Sequence, residues 1–378
     1  MSLMLDFYKG KRVFVTGHTG FKGSWLTKIL VMAGADVYGY SLMPGVNEDI
    51  YAEGFKEPSD NENLYDISKV DGSIHSCIGD IRDFEKLRDF FDKAQPEIVF
   101  HLAAQPIVRD SYKSPRYTYE TNVMGTVNIC ECVRASSTVR SFLNVTTDKV
   151  YQNNEWEWGY REDEKLDGYD PYSNSKSCSE LVTHSYINSF FRDREIAVST
   201  ARAGNVIGGG DFAKDRIVPD CVRAARAGEK IILRNPDSTR PFQHVLEALS
   251  AYLLIGKAQY EDYGKAGYYN VGPNESDAVT AMKIASLFAN NWNEKIRNCE
   301  AGSVLSGFKQ LGIDIQSDGG PHEANYLKLD CSKIKTKLKW APKWDIDMAI
   351  KKTVEWTVLY LEGKGSEAME QQIEEYFG

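Results

Sequence analysis

No stretch of the 378 residues approaches an unbroken apolar run of the ~20 needed to cross a bilayer. The opening MSLMLDFYKGKRVFV also lacks a cationic segment followed by a signal-type apolar run, so the expected address is the cytoplasm. Positive charge is in deficit, with 45 Lys+Arg against 54 Asp+Glu and a formal net charge of −9. That balance argues against broad nucleic-acid binding, which needs a basic footprint, but leaves room for a small anionic ligand held by a few local cations. The six histidines are dispersed with none at a metal-ligand spacing, and no metal site is expected. The seven cysteines (77, 130, 132, 178, 221, 299 and 331) are odd in number and scattered, which speaks against a disulfide framework and for thiols in a reducing compartment. Internal repeats and low-complexity linkers are missing too.

What is present is alternation. Short β-type runs at Arg12–Thr16, Asp36–Tyr40, Ile98–Leu102, Ser141–Thr146 and Val198–Ala201 are separated by helical runs at Lys22–Met32, Glu85–Lys93, Val123–Ala135 and Asn174–Phe191. Such an order predicts an α/β fold, a Rossmann-type doubly wound parallel sheet with helices on both faces. Beyond about residue 205 the pattern becomes irregular, with a further helix expected over Val279–Asn290 and an acidic surface helix over Gly365–Gly378. The expected division is 1–200 for a cofactor-binding domain that carries the catalytic residues, to which the chain returns later. A mainly substrate-binding α/β portion over 201–350 and a helical extension over 351–378 follow.

The first chemical motif is Thr16-Gly17-His18-Thr19-Gly20-Phe21-Lys22-Gly23, glycines at G-x-x-G-x-x-G between a strand and a helix. A pyrophosphate bound there needs a sharp turn, backbone-only approach and a helix N-terminus aimed at the phosphates. Two features depart from the usual pattern. The second strand, Val37-Tyr38-Gly39-Tyr40-Ser41-Leu42, carries no acid for the adenosine ribose, and His18 and Lys22 stand inside the turn, where they would either attract pyrophosphate as cations or hinder it by bulk. Weak retention of NAD is the expectation. Asp80 and Ile81, after a third strand, are placed to touch the adenine.

The second motif is Tyr172-x-x-x-Lys176. On a helix the two share a face, and an ammonium there would lower the phenol from its ordinary value near 10 toward the working range. A hydroxyl from the preceding strand is supplied by Thr147, followed directly by Asp148 and Lys149.

With the glycine turn, His101-Leu102-Ala103-Ala104, Asn122-Val123-x-Gly125-Thr126 and the Tyr/Lys pair, the chain resembles the extended short-chain dehydrogenase/reductase family over nearly its whole length. Arg202-Ala203-Gly204-Asn205-Val206 and Arg240-Pro241-Phe242-Gln243-His244-Val245 suggest its nucleotide-sugar branch. The blocks HLAAQPIVRDSY, TTDKVYQNNEWEWGYRE, YDPYSNSK, AGNVIGGGD and PHEANYLKLDCSK are similar to those of CDP-glucose 4,6-dehydratases. The resemblance implies NAD as cofactor, bound by Gly17, His18, Gly20, Phe21, Lys22, Gly23, Asp80, Ile81, Ala103, Ala104, Asn122, Tyr172 and Lys176. It implies catalysis by Thr147, Asp148, Lys149, Tyr172 and Lys176, and a nucleotide sugar, CDP-glucose first, held by Asn205, Arg234, Arg240 and His322. His244 and Arg234 have structural readings at equal weight, and Lys214-Asp215-Arg216 is expected over the substrate.

The implied reaction oxidises C4, eliminates water across C5 and C6, and returns hydride to C6. Asp148 would protonate the leaving hydroxyl. Lys149 would be the C5 base, where related dehydratases carry Glu, and would have to be neutral, through desolvation and the nearby Lys176 charge. Alternatives are a dehydratase for another nucleotide sugar, a 4-epimerase, or a non-catalytic dinucleotide sensor. Relatives pair the helices Val123–Ala135 and Ser175–Phe191 across a two-fold axis, which implies a homodimer or homotetramer.

Overall fold

Strand Arg12–Thr16 (β1) sets the architecture, because its side chains alternate between two hydrophobic clusters. Val13 and Val15 join one cluster and Phe14 the other, and all three are fully buried. Only a sheet covered on both faces allows that. The computed structural model describes residues 3–44, 63–194, 196–213, 216–316 and 327–378. With β1 come Asp36–Ser41 (β2), His75–Ile78 (β3), Ile98–His101 (β4), Ser141–Val145 (β5), Ala197–Ala203 (β6) and Tyr268–Val271 (β7). They form one seven-stranded sheet in the order β7-β6-β5-β4-β1-β2-β3, every neighbouring pair parallel. The order reverses beside β1 and β4, the switch point where open α/β sheets bind ligands at their carboxyl ends.

One face is covered by Phe21–Met32 (α1) and, further along the chain, by a long apolar helix that packs on β5 and β6. The other face is covered by Phe84–Ala94 (α3), Gly125–Ala135 (α4) and Pro171–Tyr186 (α5). A short helix, Leu64–Ser68 (α2), lies against α1. The helix expected to begin at Val123 is preceded by a π turn, Glu120–Met124, which carries Asn122. Helix α5 starts earlier than expected, at Pro171, because the Asp170 carboxylate accepts the Ser173 N–H at 3.0 Å and Pro fits the first turn. It ends in a second π turn, Ile187–Phe191.

After β6 the chain builds a second cluster from Ile217–Ala227 (α6), Ala281–Arg297 (α8) and Ile346–Leu361 (α9), around Phe288, Trp292 and Ile350. Val279 belongs to the strand Ala278–Thr280, paired antiparallel with Thr239–Pro241, so the helix expected there starts two residues later, capped by Thr280. Between these lies Val245–Glu261 (α7), the apolar helix on β5 and β6.

The last helix, Gly365–Phe377 (α10), corrects the expectation of a surface element. Ala368, Met369, Ile373, Tyr376 and Phe377 are buried in the main core. Its Tyr376 hydroxyl donates to buried Glu247 at 2.7 Å, and Lys28 of α1 reaches Glu370 at 2.6 Å. The acidic residues were legible. The apolar residues at helical spacing between them decide the packing. None of the described helices is long and apolar enough to cross a membrane.

Candidate active site

The glycine turn closes because two of its residues have no room for a side chain. Gly17 has φ +76°, and a Cβ there would lie 2.8 Å from the Ala103 nitrogen; a Cβ on Gly23 would lie 1.9 Å from the Gly17 carbonyl oxygen. The strand–turn–helix is thus packed against the end of β4. Thr16 fastens it, accepting the N–H groups of Leu102 and Ala103 at 3.2 Å and lying 2.7 Å from His101 Nδ1. Phe21 and Lys22 follow at the start of α1 and face the cavity described below.

His18 is not a phosphate-facing cation. Burial pushes its imidazole down to about 4, and its Nε2 lies 2.9 Å from the Ser76 hydroxyl. Its ring occupies the space a side chain on Gly39 would need, at 2.5 Å, and meets Tyr65 edge-on. The residue therefore packs over the paired strands β2 and β3, where Gly39 and Ser76 lie side by side. Lys22 is pushed down to about 8 by burial and by the Arg216 charge, partly offset by Asp148.

Asp80 spends its carboxylate on Arg82, at 2.6 Å, and Ile81 is packed against Gly125 of α4. Asn122 stands away from the cavity. Its amide takes the Gln105 N–H at 2.8 Å and donates to the Gln105 carbonyl and the Ser175 hydroxyl. It fixes α5 to the loop after β4.

The chemistry gathers at the carboxyl end of β5. Thr147, Asp148, Lys149 and Tyr172 line one cavity of about 660 Å³, together with Asn205, Arg234 and Arg240 from the second lobe, a size suited to a small ligand. Asp148 is buried, accepts the Thr147 hydroxyl at 3.0 Å on one oxygen and has no partner on the other. Desolvation raises its carboxyl above the usual range, opposed by Lys149, Thr147 and Arg240. Lys149 is half-buried in the same wall. Tyr172 differs from expectation: burial dominates and lifts the phenol to about 12, against a hydrogen bond from Thr147. Lys176 is itself buried, donates to the Val145 carbonyl at 3.2 Å and is pushed down to about 7 by burial and Lys22. Burial thus weakens the charged form of Lys176, and the influences that set the Tyr172 phenol are burial, Thr147, Asp148, Arg216 and Asp170.

On the lobe side, Asn205 leaves its Nδ2 buried without a partner, Arg234 is exposed at the rim, and Arg240 is half-buried. Arg216 lies on the same wall and pairs with Asp211 at 3.1 Å. His244 stays out of the cavity; its Nδ1 caps α7 and its ring sits between Trp25 and Trp344. His322, Lys214 and Asp215 lie outside the described residues. Sequence reasoning passed over Arg109, which lines the cavity from the segment after β4. Its only signal was a place in the HLAAQPIVRDSY block.

Among curated proteins, the CDP-glucose 4,6-dehydratase of Salmonella typhimurium is 45% identical over 366 residues, covering 95% of this chain and 94% of that one. The dTDP-glucose 4,6-dehydratase of Haemophilus influenzae is 25% identical, covering 91% and 97%. Among solved structures, the dTDP-glucose 4,6-dehydratase of Bacillus anthracis in complex with NAD superposes with a TM-score of 0.69 at 18% identity, covering 94% and 99% of the two chains. The family model for GDP-mannose 4,6 dehydratase matches residues 14–353, which takes in the glycine turn, all of the sheet but the first two residues of β1, and both walls of the cavity; the chain belongs to that family.

Proposed function

We propose that the protein is a hydro-lyase that dehydrates CDP-glucose to its 4-keto-6-deoxy form, with NAD as a recycled cofactor. The observation that carries this is the gathering of Thr147, Asp148, Lys149 and Tyr172 on one cavity wall, with Asp148 buried and one oxygen unshared. An epimerase acting at C4 alone has no use for that acid. The CDP-glucose relative at 45% identity favours cytidine over other nucleosides.

The cradle at Gly17 and Gly23, which a Cβ would fill, fits a pyrophosphate approached by backbone alone, with Phe21, Lys22, Ala103 and Ala104 around it. When bound, NAD would supply the hydride acceptor for C4 and, once reduced, the hydride donor for C6. Tyr172, in its ionised form, takes the C4 hydroxyl proton, with Thr147 on the same oxygen. Lys149 removes the C5 proton once C4 is a ketone. Asp148, whose carboxyl burial raises toward the protonated form, gives its proton to the C6 hydroxyl, which leaves as water. Asn205, Arg240 and Arg234 hold the diphosphate and nucleoside from the second lobe. Residues 1–200 serve as cofactor-binding domain, 201–350 mainly as substrate portion and 351–378 as helical extension. A homodimer or homotetramer through α4 and α5 suits the exposed Met124 just before α4 and Leu181 on α5, and the cytoplasm suits the free thiols.

The test is incubation of protein and NAD with CDP-, UDP-, dTDP- and GDP-hexoses, followed through the alkaline absorbance of a 4-keto sugar. Product from CDP-glucose is expected. A C4 epimer without loss of water would make it an epimerase, and no product from any sugar would make it a dinucleotide sensor.

A further inference from the structure

Beneath the catalytic residues lies a carboxylate that the reaction scheme does not use. Glu180 stands one helical turn after Lys176 on α5 and is fully buried. Its two oxygens meet the residue just after β5 and two residues of β6. Oε1 accepts the Thr146 hydroxyl at 2.5 Å, and Oε2 accepts the Thr200 hydroxyl at 2.8 Å and the Arg202 guanidinium at 2.9 Å. Arg202 is equally buried and donates onward to the Tyr151 hydroxyl at 2.8 Å, which donates to Asn270 of β7 at 2.6 Å. A buried ion pair is no efficient source of stability, since an apolar pair of similar volume often serves as well or better. Its position suggests what it is for. Thr146 is the residue directly before Thr147, so this one carboxylate joins the turn that carries Thr147, Asp148 and Lys149 to the helix that carries Tyr172 and Lys176.

We propose that Glu180 is a positioning residue: it locks the end of β5 to the catalytic helix and faces Lys176 with the negative charge that this buried ammonium otherwise lacks. The groups around Lys176 make the second half necessary. From α1 comes Lys22, a like charge. From β4 comes His101, a buried imidazole that Lys176 helps to keep neutral. On the same helix stands Tyr172, whose phenol burial lifts. Against burial and Lys22, Glu180 is the counterweight that favours the charged amine.

The inference rests on the dehydratase reading for its kinetic half only. The first experiment follows the Lys176 Nζ titration by nitrogen-15 lysine NMR in cofactor-free protein, which needs no turnover. Glu180→Gln should lower the midpoint by roughly one pH unit. The double variant Glu180→Gln/Arg202→Gln, which leaves no stranded cation, should lower it as well. Glu180→Asp should return it toward the parent. An unmoved midpoint in both Gln variants overturns the charge role. The second experiment measures single-turnover NADH formation from CDP-glucose against pH. Thr146→Val removes the strand-side hydroxyl alone and should slow the reaction about tenfold at every pH without moving its alkaline limb. Glu180→Gln should shift that limb to lower pH. A Thr146→Val variant as fast as the parent overturns the locking role. A parent that forms no NADH faults the dehydratase reading, while the titration still decides the role of Glu180.

Discussion

The two walls of the cavity are built differently. The sheet-side wall comes from β5, its turn and α5, and Thr147, Asp148, Tyr172 and Lys176 are all buried. The lobe-side wall comes from short pieces, the strands Ile231–Leu233 and Thr239–Pro241 and the loop at Asn205, with Arg234 exposed and Arg240 half-buried. Proton transfer needs atoms held to fractions of an ångström at pKa values that water would erase. Long parallel strands and a capped helix supply that. Recognition of a flexible diphosphate needs donors that move to meet it, and short elements at a rim supply those. Rate should therefore depend on the first wall and affinity on the second.

The largest effect expected is at the sheet-side wall. Tyr172→Phe should cut the first hydride transfer by about 10²–10⁴-fold, seen as loss of the reduced-nicotinamide absorbance in a single turnover. Sugar affinity should change little, and a parallel loss of affinity would break the contrast between walls. Lys149→Met should divide the reaction within that wall. NADH should accumulate while dehydrated product falls by about 10²–10⁴-fold, because Thr147, Tyr172 and Lys176 still serve C4. Exchange of the C5 proton with heavy water at the parent rate would pass the base role to Asp148 or a water. On the other wall, Arg240→Ala should raise KM for CDP-glucose about tenfold or more, as expected for lost hydrogen bonds to a charged group, with kcat nearly kept. A fall in kcat instead would place Arg240 with the chemistry.

The smallest effect concerns stability. Lys22 and Lys176 sit at about 8 and about 7 when folded, below the ordinary lysine value of 10.5. Between these values and 10.5 the unfolded chain binds more protons than the folded one, so stability contributed by these groups rises with pH through that window. Cofactor-free protein should accordingly show a Tm that climbs between pH 7 and 9, and Lys22→Met should flatten the climb. An identical slope in the variant would mean that Lys22 keeps its charge at little cost.

These residues also show what could be read in advance. The glycine turn, β1 to β6 and the Tyr172/Lys176 pair were legible because each depends on local pattern: strand and helix periods, a turn with no room for Cβ, and i, i+4 spacing. His18, by contrast, had two readings in the turn, a cation drawing pyrophosphate or a bulk hindering it, and its imidazole is packed against paired strands, because only the fold brings Ser76, Tyr65 and Gly39 around it. Asn122 had the right motif and a different task. Its partners Gln105 and Ser175 are separated from it by 17 and 53 positions.

Composition and spacing determined that this chain makes a doubly wound sheet and that a glycine turn opens it, while the family resemblance pointed to the Thr/Asp/Lys turn and the Tyr/Lys helix. Those are local properties, written in hydrophobic period and in the few residue types that can turn, cap or transfer a proton. Tertiary structure alone decided the charge states. Burial lifts Tyr172 and Asp148 and lowers Lys176, Lys22 and His18, and burial is a property of what the rest of the chain packs around a group. It also decided that an acidic C-terminal segment folds inward, and that Glu180, silent in the sequence, joins the two catalytic elements from below.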